Sequence, residues 1–281
     1  MTKDLTSGNP FKIILLFTLP LMLGNLFQQF YSLADTIIVA VLSVSMRWRQ
    51  LALPARSLSD PGFVHWHVHG FAIPIAQLFG AHDDSDLRRH VANATWLCIA
   101  WGVVLTVVTV ALTRPIMELM QTPADIIDGA STYIGWIFAG IPFVFLYNMV
   151  SAIMRALGDS KTPLYFLVLT SAVNIVLDLV LIIYFHMGVA GAAYATVISQ
   201  GVSGFLCLIF IIKKVPVLHM EKGEFRLEKN LSIQQLKVGF PMALQYSITA
   251  IGTMMVQSAL NMLGSIAVAA FTAANKIENL L

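Results

Sequence analysis

Two carboxylates stand where carboxylates are rare. Asp35 is the one charged residue in 13–46, and Asp178 is the one charged residue in 162–185. An acidic group inside a long apolar helix faces a cavity or a partner rather than lipid. Asn174 lies four residues before Asp178, so on a helix the two share a face. Carboxylate and amide oxygens are hard ligands that suit a small cation. Low polarity also disfavours the charged form of a carboxylate, which favours proton exchange near neutrality. The competing reading is structural, with each aspartate hydrogen-bonded to a neighbouring helix.

The segments that hold these residues are apolar throughout. The chain has 281 residues, 57% hydrophobic and 11% charged, against about 25% charged in soluble domains. Its mean hydropathy is +0.77. Residues 91–113, 131–154, 187–212 and 238–275 contain no Asp, Glu, Lys or Arg. Each run can cross a bilayer core of about 30 Å as a helix of roughly 20 residues. The runs are continuous rather than alternating, which excludes a β-barrel pattern. The fold class predicted is all-α, a polytopic transmembrane helix bundle.

Helices are predicted at 11–42, 91–113, 131–155, 163–185, 188–212 and 236–263, with another starting near 265 and one expected between 43 and 80. Asn9-Pro10, Thr122-Pro123 and Thr162-Pro163 each place a capping residue before a proline at the first helical position. Asp125 completes a capping box with Thr122. With the N-terminus in the cytoplasm, Lys3, Lys12, Arg88, Arg89, Arg155, Lys161 and the basic residues of 213–237 fall inside. Only Arg114 falls in the outer loop at 114–130. That asymmetry is the positive-inside pattern of a multi-pass protein of the inner or plasma membrane.

An internal repeat is visible. Setting Pro20 on Pro241, LFTLPLML (16–23) faces KVGFPMAL (237–244). The offset implies a six-helix unit of about 220 residues. Residues 1–220 are then the N-terminal six-helix lobe, and 221–281 a linker with the first one or two helices of a second lobe. Two units need more residues than the chain has, so it is expected to be truncated, a fragment.

Residues 43–69 break the pattern. SVSMRWRQLALPARSLSDPGFVHWHVH carries Arg47, Arg49 and Arg56 where the topology needs a span. Back-translated with one choice of codons and read in the neighbouring frame, the stretch yields VDALAAVGATGS, which matches SIAVAAFTAANK (265–276) at the repeat offset. A frame error accounts for this, and His65, His67 and His69 then need no metal.

LPLMLGNLFQQFYSLADTIIV (19–39), GFAIPIAQLFGA (70–81), RALGDSKTPLY (155–165), NIVLDLVLI (174–182) and GVAGAAYATVISQ (188–200) resemble the multidrug and toxic compound extrusion (MATE) transporters of the bacterial and archaeal branch. The resemblance covers nearly the whole chain except 40–69. It implies one lobe of a twelve-helix, pseudo-symmetric secondary antiporter that exports drugs and organic cations in exchange for protons or sodium. It also implies a cation or proton site at Asp35, Asn174, Asp178 and Thr196, with the Tyr133 hydroxyl beside them. Pro20 matches the proline where the first helix bends. For Tyr133 an interfacial aromatic belt competes, and for Thr196 ordinary helix packing.

Gln28, Gln29, Asn148 and Met149, with Phe138, Phe143 and Phe145, could line a substrate cavity; lipid-facing packing competes for each of the aromatics and Met149. No cofactor or metal is expected beyond the coupling ion, sodium or proton. The expected partners are small amphipathic or cationic drug-like molecules and the lipid bilayer, with no nucleic acid, and the protein is expected to be monomeric. The alternatives are a lipid-linked saccharide flippase of the same superfamily and a non-functional truncated product. A flippase needs a cationic groove, and the helices offer no buried Arg or Lys. A membrane-embedded enzyme needs a nucleophile–base pair or metal cluster, and none is found. Resequencing of codons 40–70 should reveal paired, compensating frame changes; one uninterrupted frame identical to the present one would refute the frame-error reading.

Overall fold

The computed structural model describes residues 8–42, 62–119, 127–221, 223–262, 271 and 274, with side chains left undescribed at 32–42, 62–69 and several positions beyond 242. The described residues form α1 (Pro10–Leu42), α2 (Gly62–Gly80), α3 (Asp84–Leu119), α4 (Ile127–Ala139), α5 (Ile141–Ala156), α6 (Lys161–Leu179), α7 (Gly188–Lys214) and α8 (Lys229–Met262). No strand occurs among them. Among the described residues four helices are long and apolar enough to cross a membrane, five if the bent pair α4–α5 counts as one span. The predicted helix near 265, the Thr122–Asp125 capping box and residues 43–61 of the suspect stretch lie outside the described residues. Residues 62–69 of that stretch belong to α2. On a helix His67 falls on a different face from His65 and His69, so the three do not line up as they would on a strand.

The core lies between α2, α3, α5 and α7. Phe71, Ile75, Leu87, Val91, Phe145 and Cys207 are among its buried side chains. Outward-facing positions stay apolar as well: Val103, Val104, Val107 and Val108 of α3 are exposed. An apolar exterior over a packed interior is what lipid solvent permits. α1 packs on α6, where a Cβ added to Gly24 would meet Leu164 and Leu167 at 3.8 and 4.0 Å.

Two local expectations are corrected. The helix predicted over 131–155 is two helices meeting at 41°. Pro142, in the first turn of α5, has no N–H to continue the α4 ladder. Gly140 fills the corner, where a Cβ would stand 2.5 Å from Val197 Cγ2 of α7. The second correction concerns the start of α6. The cap is not Thr162 but Asp159, whose Oδ1 accepts the N–H groups of Lys161 and Thr162, both at 3.0 Å. Thr162 instead donates its hydroxyl to Asp159 Oδ2 at 2.6 Å. Gly158, at φ +79°, turns the chain so that the carboxylate reaches these donors. At α1 the expectation holds, with Asn9 Oδ1 accepting from Phe11 N–H at 3.0 Å and Lys12 N–H at 3.4 Å.

Arg88, Arg89, Arg155, Lys161, Lys213, Lys214 and the 223–237 segment mark the charged end of the bundle. There the segment after α7 is clamped onto the first turns of α3. Arg88 grips Glu224 with two bonds, Nε–Oε2 at 2.6 Å and Nη2–Oε1 at 2.8 Å. Arg89 grips Glu228 at 2.9 and 2.6 Å. Trp96 and Phe225 stack alongside, with centroids 5.5 Å apart. The Arg88 hydrogen bond, reinforced by the Glu221 backbone N–H, holds the Glu224 carboxyl below the usual glutamate range; the Arg89 hydrogen bond does the same for Glu228. A carboxylate with a depressed folded-state value stabilises above its unfolded value of about 4.3, and that contribution disappears as pH falls through the folded value. Hydrogen-exchange protection of peptides covering 223–232, taken relative to the intrinsic rate at each pH, should therefore be high at pH 7 and fall only below about pH 4, with no step between pH 6 and 8.

Candidate functional site

The polar centre of the bundle joins three helices. Asn174 and Asp178, one turn apart on α6, have no exposed surface. The Asn174 amide is assigned the orientation in which Nδ2 faces two acceptors and Oδ1 faces a donor. In it, Nδ2 donates to Asp178 Oδ2 at 3.1 Å and to the Tyr31 hydroxyl at 3.2 Å, while Oδ1 accepts from the Thr196 backbone N–H at 3.2 Å. Tyr31 comes from α1 and Thr196 from α7. Thr196 Oγ1 donates to Ala192 O at 3.0 Å within its own helix, which leaves lone pairs on the hydroxyl oxygen.

The sequence favours this assembly locally. Gly191 lies one turn before Ala195 and Thr196, where a Cβ would approach Leu181 to 3.2 Å, so α7 runs close against the end of α6. Directly after Asp178, α6 widens into a π-helical turn over Val180–Tyr184. Such turns are rare and tend to sit at functional sites. Carboxylate, amide, phenol and hydroxyl oxygens then converge in an apolar setting. That set can hold a small cation through oxygen ligands or pass a proton. Among the described residues no group of three His, Cys, Asp or Glu could hold a transition metal.

The other expected residues are placed as follows. Asp35 belongs to α1, one turn after Tyr31, and its side chain lies outside the described residues. Tyr133 is buried on α4, which packs on α7; Trp136 and Tyr194 stack across that contact at 4.5 Å. Pro20 is buried inside α1, about 16 Å along the axis from Tyr31 at 1.5 Å per residue. Gln28 is exposed, while Asn148 and Met149 are buried. Asn148 Nδ2 donates to Val144 O at 2.8 Å, and Met149 packs with Phe71, Cys98 and Ile153 in the lobe core. Phe145 is buried in the same core, and Phe143 packs edge-on to Phe205.

Tyr31 is the site residue that the sequence reading passed over. Its signal was its spacing, four residues before Asp35 on the same helix. Among the described residues no arginine or lysine is buried; the Arg88 side chain, 14% exposed, is half-buried and paired with Glu224, so it offers no free charge to a pyrophosphate.

Packed apolar helices around a buried carboxylate–amide pair mark a polytopic membrane protein. The MatE family profile matches residues 63–180. A probable multidrug resistance protein of Bacillus subtilis, YpnP, is 30% identical over 99% of this chain and 62% of its own length. The probable multidrug resistance protein NorM of Thermotoga maritima is 28% identical over 96% of this chain and 59% of its own length. A MOP superfamily transporter from Pyrococcus furiosus superposes with TM-score 0.88 at 26% identity, covering 99% of this chain and 62% of that one. A multidrug resistance MATE transporter in an outward-facing conformation gives 0.87 at 27%, with the same coverage. The chain is similar to MATE-family proteins along nearly its whole length, and it spans about three fifths of the length of these relatives.

The amide of Asn174 ties α1, α6 and α7 together, so its loss should be felt as stability. Tyr31→Phe should cost about 0.6 kcal/mol, the average for an interhelical hydrogen bond in a membrane protein. Asn174→Leu should cost up to about 3 kcal/mol, because it removes a donor from a buried carboxylate. Thermal unfolding in detergent would rank the two; equal melting temperatures for both variants and the parent would contradict the network.

Proposed function

We propose that this chain supplies the ion-coupling lobe of a drug exporter, a secondary antiporter that moves organic cations and other amphipathic drugs outward against protons or sodium. The observation that carries the reading is the buried Asp178–Asn174 pair, bridged to Tyr31 of α1 and backed by Thr196 of α7. A cation or proton arriving there changes the hydrogen bonds that tie α1 to α6. α1 contains Pro20, whose missing N–H gives the helix a point of flexure. Binding at the site is thereby linked to the shape of α1, which is what alternating access requires of a coupling ion. Asp35, one turn beyond Tyr31, is assigned to the same site, and Tyr133 to its α4 side. The site needs no resident cofactor.

The substrate surface is assigned to the open side of α1, where Gln28 is exposed beside Phe27 and Phe30. Asn148 and Met149 join it only if the core between α2 and α5 opens. The excess of lysine and arginine at the charged end supports an N-terminus on the cytoplasmic side. The protein acts in the inner or plasma membrane as a monomer, on drug-like substrates.

The test is ion-driven efflux of a fluorescent organic cation from vesicles carrying this lobe within a repaired, full-length two-lobe protein. Asp178→Asn should abolish efflux while leaving expression and detergent stability near those of the parent, since a neutral amide is cheaper to bury than a carboxylate. Asp35→Asn should do the same, and the double variant should lose little more, because both groups act as one unit. Proton and sodium gradients imposed separately identify the coupling ion. Undiminished efflux in Asp178→Asn would assign that carboxylate a structural role. In the same vesicles, thiol labelling should reach the 213–237 segment from the cytoplasmic side and 114–130 from the other; the reverse would overturn the orientation.

A further inference from the structure

The clamp at the charged end does more than tether a loop. It continues inward in layers, from the first helical unit onto α8, the helix that opens the second unit. The outer layer is the pair of bidentate bridges, Arg88–Glu224 and Arg89–Glu228. Next, Asn93 of α3 holds the Glu228 peptide at both ends. Its Nδ2 donates to Glu228 O at 3.0 Å, and its Oδ1 accepts Glu228 N–H at 2.9 Å and the Ser232 hydroxyl at 3.4 Å. Two turns along α8 from Glu228, Gln235 Nε2 donates to His90 O at 2.8 Å, and Gln235 is fully buried. The innermost layer is a backbone-to-backbone crossing. A Cβ on Gly70 would stand 2.5 Å from Gly239 Cα, and one on Gly239 would stand 2.9 Å from the Phe71 ring.

All four layers precede Pro241, the proline inside α8. Beyond it, Ile248, Met255 and Val256 are exposed. Proline removes one rung of the helical ladder and clashes with the preceding turn, which makes it the point where a helix bends.

We propose that residues 223–239 belong mechanically to the first lobe, and that Pro241 is where α8 becomes free to swing. Asn93, Arg88 and Arg89 are the positioning residues that fix the stationary end of this hinge. The two lobes are then joined not by a slack linker but by a rigid strut that ends at a defined pivot. The angle that the second lobe can take is set at Pro241, and the strength of the clamp decides whether the pivot stays there or retreats toward α7. The inference rests on α8 being the opening helix of the second unit, not on the ion or the substrate.

Spin-label distances on the chain reconstituted in nanodiscs test this. Labels are placed on Ser85 of α3 and, in separate samples, on Ile233 before the pivot or Ile248 beyond it; all three positions are exposed. Cys98 and Cys207 are buried and stay unlabelled. The 85–233 distribution should be narrow and the 85–248 distribution at least about twofold broader, as for a segment of lower local stability. Asn93→Ala, or Arg88→Glu alone, should broaden 85–233 to the width of 85–248. The charge swap Arg88→Glu with Glu224→Arg should restore the narrow distribution, and each single variant should keep the parent's helical circular dichroism. Equal widths for the two pairs in the parent would overturn the proposal, as would an unchanged 85–233 width in both unclamped variants.

Discussion

A carboxylate without exposed surface in an apolar helix has to be met by donors, and Asp178 sets the terms for the helices around it. Water cannot serve it in hydrocarbon, so protein groups must. Asn174 supplies an N–H from one turn away, and that same amide requires an acceptor and a donor of its own. Tyr31 and the Thr196 backbone provide them. One buried charge site therefore fixes the approach of α1 to α6 and of α7 to α6. A glycine of α7 serves it: Gly191, where a Cβ would meet Leu181 at 3.2 Å, lets α7 close on the end of α6 to the distance that the network needs.

The opposite constraint acts at the charged end. There the chain leaves the apolar region, and the same three-dimensional problem of satisfying polar groups is solved with ion pairs. Arg88 and Glu224 are each less than 15% exposed along their side chains, and their bonds are short and bidentate, the strong form of such contacts. On the proposed function the polar centre responds to an ion, while the charged end resists deformation. A helix bundle with one adaptable and one rigid end can turn a local binding event into a directed movement of whole helices.

The sequence disclosed what composition and short spacing can disclose. α1, α3, α6 and α7 were legible because uncharged runs of sufficient length leave little else to choose, and Asn174–Asp178 was legible because four residues bring side chains together on any helix. The corner at Gly140 was not. The run 131–154 is apolar on both sides of it, and the break depends on Val197 of another helix. The cap of α6 was misplaced because Thr162-Pro163 fits the local pattern as well as Gly158-Asp159 does, and only the chain reversal at Gly158 decides between them. Tyr31 needed the meeting of α1 with α6. The Arg88–Glu224 and Arg89–Glu228 pairs, 136 and 139 residues apart, carry no local signal at all.

The central claim is that the buried carboxylate is the group that exchanges ions. Difference infrared spectroscopy on the purified chain addresses it without any transport assay. Adding sodium, or acidifying in its absence, should change the carboxyl and carboxylate bands of the parent protein. In Asp178→Asn that change should be lost, and in Tyr31→Phe it should shift, because the partner's partner has been altered. Difference bands that are identical in the parent and Asp178→Asn would contradict the account.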